Sequence, residues 1–224
     1  TSGLGDMDFA ETDSSLTLSS LFYSFPVGQT TITAGPLLDQ DDVVSVTTSA
    51  YSDAWKLGGN PYTLPGTTGV GAAASATLGG GFNVAASFIG SSGADSNLGI
   101  GTSEGDDIIT GMVGYDGEGF GGGVIYTTMG EGSASTGYSA LGGGIYYSGE
   151  NFTLSATYDT KDDEGSTENA EAWLIGSDIS VGPGTLSAAV SNVPDTDAND
   201  ADETSYEVYY SYPVSDHLTI TPGY

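Results

Sequence analysis

The chain contains no cysteine, so neither a disulfide framework nor a thiolate metal site is available to it. It contains no arginine, and two lysines, Lys56 and Lys161, stand against 30 carboxylates for a formal net charge of −28. A surface this acidic repels phosphates, which excludes a nucleic-acid partner. The sole histidine, His217, lies beside Asp216 and has no serine or cysteine at a spacing that suggests a triad. Paired carboxylate chemistry is open by count alone, but only Asp178 falls on a strand face where its environment would be tuned. No enzyme is expected. No apolar run approaches the ~18 residues of a membrane helix, whereas a membrane strand needs only ~9–11 residues of alternating character. Helical periodicity is nowhere sustained, and no secretory leader is visible at Thr1.

What is present is glycine, 36 residues without a collagen period, and a series of short segments rich in Tyr, Phe, Val, Ile and Thr. The carboxylates bunch between those segments, so the charge belongs to loops of a folded β protein rather than to a disordered chain. In Leu21–Asp42, Leu21, Tyr23 and Phe25 share a face against Phe22 and Ser24, and Ile32 and Ala34 alternate with Thr31 and Thr33. Further strands are expected over Gly69–Leu78, Phe82–Ile89, Asp107–Tyr115, Phe120–Thr128, Tyr138–Tyr147, Phe152–Tyr158, Trp173–Val181, Thr185–Ser191, Tyr206–Tyr212 and Leu218–Thr221. That makes about twelve strands in six hairpins. Glycines 121–123 and 142–144, inside strands, are expected to permit bending in a curved sheet.

The connections alternate in length. Residues 26–29, 79–81, 116–119, 148–151, 182–184 and 213–216 form a short set. Residues 36–68, 90–106, 129–137, 159–172 and 192–205 form a longer, acidic set. In an up-and-down meander alternate connections lie at opposite ends, so one end carries tight turns and the other long polar loops. That asymmetry, with aromatics such as Tyr115, Phe120, Tyr147, Phe152, Tyr158 and Trp173 near strand ends, is the pattern of an antiparallel transmembrane β-barrel in the outer membrane. A single barrel domain over residues 1–224 is expected.

The run LFYSFPVGQTTITAGPLLDQDDVVSV, the later GVGAAAS and the closing SYPVSDHLTITPGY resemble the cyanobacterial outer-membrane porins. These are relatives of the carbohydrate-selective porins, often labelled iron-uptake porins. The matching features are Phe25-Pro26-Val27-Gly28, Gly35-Pro36 and Asp41-Asp42. The resemblance spans nearly the whole chain. It implies a passive channel for small hydrophilic solutes or ions, a homotrimer, and lipid and lipopolysaccharide as neighbours. Family members carry a surface-layer-homology domain and further strands that this chain lacks, so it reads as the middle and late part of a longer barrel. Leu37 and Leu38 stand where the family has basic residues, so an arginine-lined eyelet is not expected.

The loop from Pro36 to Thr68 is too long for a plain connector, and long structured loops are usually functional. Folded into the lumen, it would offer Asp39, Asp41, Asp42, Asp53 and Lys56 at a constriction, with Tyr51, Trp55 and Tyr62 packing it on the wall. Its other reading is an extracellular flap with solvated carboxylates. Carboxylates in a narrow opening concentrate cations, so a cation-preferring channel is expected. Asp178 is expected in the lumen. Asp195, Asp197, Asn199 and Asp200 have the look of a calcium run but lack the glycine and glutamate of an EF-hand. They read first as a solvated loop and second as a weak divalent site, the one cofactor considered. The same solvated reading applies to 159–171. The alternative to a channel is a self-assembling or surface-exposed acidic β-protein, such as an adhesin, sheath or filament subunit.

Overall fold

Successive side chains on a strand point to opposite faces, so an alternating sequence builds a two-sided sheet. The structure, a computed structural model, describes residues 18, 20–43, 46–52, 59–91, 99–102, 105–132, 136–167, 169–192 and 204–224, the side chains of 42 and 43 excepted. In it the alternating segments form one twelve-stranded antiparallel sheet in sequence order. The strands are β1 Leu21–Val27, β2 Thr30–Asp39, β3 Thr68–Thr77, β4 Phe82–Gly90, β5 Asp107–Asp116, β6 Phe120–Met129, β7 Tyr138–Ser148, β8 Phe152–Asp163, β9 Ala170–Val181, β10 Gly184–Ser191, β11 Ser205–Ser215 and β12 Leu218–Ile220. One helical turn, α1 Gln40–Val43, follows β2. Among the described residues β1 and β12 are the two edges of the sheet, which does not close on itself.

The expected segregation of short turns and long loops is present, with shifted boundaries. β2 does not end at Gly35-Pro36. It continues to Asp39 through a bulge, with a register shift between Gly35 and Leu38 against β3. A bulge accommodates proline, which has no N–H to give to the ladder. Glycine is required at 35 because a Cβ there would collide with the backbone of Leu21 and Phe22. The bulge also shifts the phase of the strand, so that Leu38 is buried as Thr33 is. β11 likewise runs through Pro213 to Ser215, with a bulge against β12. The largest correction concerns 159–172. β8 extends to Asp163 and β9 starts at Ala170, so most of that solvated loop is sheet.

The two faces differ sharply. One carries Phe82, Val84, Ile109, Val113, Val124, Ile145, Leu154, Ile175 and Val208, exposed or half-exposed and apolar. Aromatic residues frame it. On the turn side Phe82 and Tyr115 have ring centroids 5.1 Å apart, Tyr115 and Phe120 5.3 Å, and Tyr147 and Phe152 5.8 Å. On the loop side Tyr126, Tyr158 and Tyr206 are exposed, and Tyr158 stands opposite Trp173. The pairs Phe82/Phe88, Phe120/Tyr126, Phe152/Tyr158 and Tyr206/Tyr212 each span six residues on one strand. Six steps of about 3.3 Å give roughly 20 Å, close to the ~25 Å apolar band of a membrane barrel. This face is the lipid-facing belt. Val113, 57% exposed, lies near the middle of β5 on it. Val113→Arg is expected to lower folding stability by about 2–4 kcal/mol, read as an earlier urea midpoint in lipid vesicles, while arginine at the exposed turn residue Glu118 shifts it little.

Candidate functional site

The opposite face carries the polar and small residues of each strand: Ser87, Thr110, Thr127, Ser155, Thr157, Asp159, Asp178, Ser187 and Glu207. The segment after β2 lies on it. Val46 packs with Ala85, Met112 and Ile125 of β4–β6, joined by Leu64 from later in the loop. The Ala50 N–H donates to Ser155 Oγ of β8 at 3.0 Å. The Ser52 N–H donates to Asp178 Oδ2 of β9 at 3.2 Å, and the Tyr51 hydroxyl donates to Glu207 Oε1 of β11 at 2.6 Å.

These contacts run across the strands. Val46 lies against β5 and β6 at Gly114 and Gly123, the Thr48 carbonyl against β7 at Gly144, Ala50 reaches β8 at Ser155 and Ser52 reaches β9 at Asp178. The Tyr51 side chain extends the span to Glu207 of β11. The segment is laid along the polar face, opposite the lipid-facing belt. That is the concave face that a barrel turns inward, so the segment is no flap beyond the strand ends.

A row of glycines makes the seat. Gly114 of β5 pairs with Gly123 of β6, and Gly123 with Gly144 of β7. A Cβ at Gly114 or Gly123 would run into Val46, one at Gly144 into the Thr48 carbonyl, and one at Gly176 of β9 into the Tyr51 ring. Of the glycines anticipated as bending points, Gly123 and Gly144 belong to this trough, which Gly114 and Gly176 complete and which admits residues 46–51.

The return arm is clasped by a buried carboxylate. Asp159 of β8 is 0% exposed, between Gly142 and Ala172 on the adjacent strands. Its Oδ1 accepts from Asn60 Nδ2 at 2.6 Å, and its Oδ2 from the Tyr62 and Thr63 N–H groups, both at 2.9 Å. The Thr63 hydroxyl donates to it at 3.1 Å. Asn60 has a φ of +67°, a conformation asparagine tolerates better than most residues, and its Oδ1 accepts from Thr48 Oγ1 at 2.7 Å, tying the two arms together. A second set of bonds runs in one direction. Gln40 Nε2 donates to Thr110 Oγ1, Thr110 to Thr127, and Thr127 to the Thr63 carbonyl at 2.6 Å. Asp159 accepts from four donors of the return arm, more than any other described residue of the sheet does, so it is the arm's main attachment.

Burial, with the Glu207 carboxylate adding to it, holds the Tyr51 phenol well above its ordinary range, so it stays a neutral donor. Burial followed by the carboxylates of Asp159 and Asp163 raises Tyr62 as well. Among the described residues the one lysine, Lys161, is spoken for: Nζ lies 2.7 Å from Asp163 Oδ1 and 4.8 Å from the centroid of the Tyr138 ring. The fixed charge of the described concave face is therefore acidic.

Of the residues expected at a constriction, Asp39 ends β2, half-buried, and Asp41 is exposed in α1. Asp42 lies in the same turn, its side chain outside the described residues. Asp53, Trp55 and Lys56, and Asp195, Asp197, Asn199 and Asp200, also lie outside them. Asp178 is on the concave face, accepting from Ser52 and Ser187. Asp159 and Glu207 were missed. Both continue the alternation of their strands, Ser155-x-Thr157-x-Asp159 and Ser205-x-Glu207-x-Tyr209, which was the signal available.

A meandering sheet with a lipid-facing belt, tight turns at one end, long loops at the other and a loop laid inside its curve defines an outer-membrane channel. The family description of Gram-negative porins matches residues 2–224, and the chain belongs to that family. No curated protein matches the sequence. Among solved structures, one described as "Asymmetric conductivity of engineered proteins" is 15% identical with a TM-score of 0.56. A two-substitution variant of the Rh. blastica porin is 16% identical with a TM-score of 0.53, and a triple mutant of the Rhodopseudomonas blastica porin 17% with 0.54. Each match covers 89% of this chain and 69% of the other. The likeness is one of fold. The protein is an outer-membrane channel.

Proposed function

We propose that the channel passes small hydrophilic solutes and ions passively, prefers cations, and is narrowed by the loop 40–67. The observation that carries this is the loop inside the concave face, beside Asp178 and Glu207, with Lys161 neutralised by Asp163. Carboxylates in a narrow, low-dielectric passage raise local cation concentration and repel anions. Asp39, Asp41, Asp42, Asp53 and Lys56 belong to the constriction in this reading. So does the absence of catalysis and of any resident cofactor, a loosely held divalent ion on the 195–200 run aside. The chain acts as a single barrel domain, part of a larger barrel that assembles as a homotrimer, of the cyanobacterial type that its motifs resemble. The open edges at β1 and β12 and the 69% coverage of its structural neighbours support the larger barrel.

The test is a reversal potential across a planar bilayer in a salt gradient. A cation-selective sign is expected. Selectivity should weaken from 0.1 M to 1 M salt, as the screening length falls from about 10 Å to about 3 Å. Selectivity for anions would overturn the reading.

A further inference from the structure

The lipid-facing belt is dented over β6–β8, and the dent is built into the backbone. On its surface Val124 of β6, Gly143 of β7 and Tyr158 of β8 stand side by side in register. Gly143 has no side chain to fill its place, and none fits, because a Cβ there would fall on the Gly123 carbonyl of the neighbouring strand. Leu141 and Ile145 rise above and below it on β7, 51% and 70% exposed. Ala156, opposite Ile145, extends the dent toward β8. The result is an apolar groove of about 480 Å³ whose floor is backbone. On this face its lining carries the hydroxyls of Tyr158 and of Thr160, the latter at the end nearest the long loops.

We propose that this groove holds one acyl chain of a membrane lipid, its headgroup toward the loop side. The groove is continuous with the belt that already faces lipid, which fixes the kind of occupant. The aliphatic walls match a methylene chain, and Tyr158 and Thr160 lie where the chain meets more polar surroundings. A bulk lipid touches the belt from one side. A chain in the groove is contacted from the floor and from both walls, so it exchanges more slowly than its neighbours. The groove opens on the face opposite the inserted loop, which meets only its backbone, where Asn60 Nδ2 donates to the Gly143 and Tyr158 carbonyls, and it does not depend on the ion preference of the channel.

Ala156→Phe places a ring in the groove from the lipid side, where aromatic residues are tolerated, and touches none of the loop contacts. The folded protein in detergent is stripped by repeated exchange and weighed by native mass spectrometry, with dimyristoylphosphatidylcholine as the added probe. One lipid per chain is expected to survive exchange in the parent, with affinity falling roughly tenfold in the variant, equivalent to about 1.4 kcal/mol. Single-channel conductance and the urea midpoint should stay at parent values. Leu141→Ala, which lowers one wall instead of filling the space, should also weaken retention. No retained lipid in the parent, or retention at the parent level in both variants, overturns the proposal. Because the chain has no cysteine, Ile145→Cys reports the competing occupant cleanly: a disulfide-linked dimer forming in the membrane would assign the groove to a second copy and overturn the lipid.

Discussion

Asp159→Ala is expected to free the return arm of the loop and raise single-channel conductance. The substitution removes both carboxylate oxygens at once, leaving the N–H groups of Tyr62 and Thr63 without their acceptor, while Asn60 Nδ2 keeps only the Gly143 and Tyr158 carbonyls. Each buried donor left without an acceptor costs about 1–3 kcal/mol, so two of them lower the docked population of the arm by at least about 30-fold. Planar-bilayer recording should show a larger mean conductance with excursions between levels, and limited proteolysis should cut near 59–64 in the variant alone. Asp159→Asn should lie between the two, because it keeps one carbonyl oxygen but turns an amide donor toward donors. An unchanged conductance histogram in Asp159→Ala would show that the arm is held by the Thr110–Thr127 bonds and the Leu64 contact instead.

Gly123→Leu should lift the first arm from its trough. The new side chain would occupy the volume that Val46 now fills against β5 and β6, with the Thr47 carbonyl just beyond. Neither the sheet nor the arm can give way without losing the Val46, Met112 and Ile125 cluster, and overpacking of this kind costs about 1–3 kcal/mol. The distinguishing measurement is a double-mutant cycle. Val46→Ala alone weakens the arm by loss of apolar contact. Combined with Gly123→Ala, it relieves the collision, so the double variant should be more stable than the sum of the singles by about 1 kcal/mol. Strict additivity would mean that Val46 and Gly123 do not share space, and the trough would lose its role.

Much of the architecture was readable beforehand because it follows from period-two alternation and from loop length, both local properties. Phe152, Leu154, Ala156 and Tyr158 announce an outward face without any tertiary information. Strand ends were harder where acidic residues cluster. By composition Asp159 groups with 162, 163 and 164 as solvated charge, yet it sits four residues before the end of its strand, under the loop. Its burial depends on Asn60, Tyr62 and Thr63, nearly a hundred residues earlier, and no window on the sequence joins them. The glycine trough failed for a related reason. Gly114, Gly123 and Gly144 look alike to their outward neighbours Gly122 and Gly143, and only the register of three strands separates those that admit the loop from those that face lipid.

The loop laid across the concave face also sets an order of assembly. Each hairpin pairs residues close in the chain and can zip as soon as its turn forms, whereas the Tyr51–Glu207 bond joins residues 156 apart. That bond cannot form until β11 has been laid down and the sheet has bent far enough to bring it within reach of the loop. The far tie of the loop is therefore among the last contacts made. A sheet complete in its strands but lacking this tie has its first arm loose, the counterpart of the loose return arm expected in Asp159→Ala.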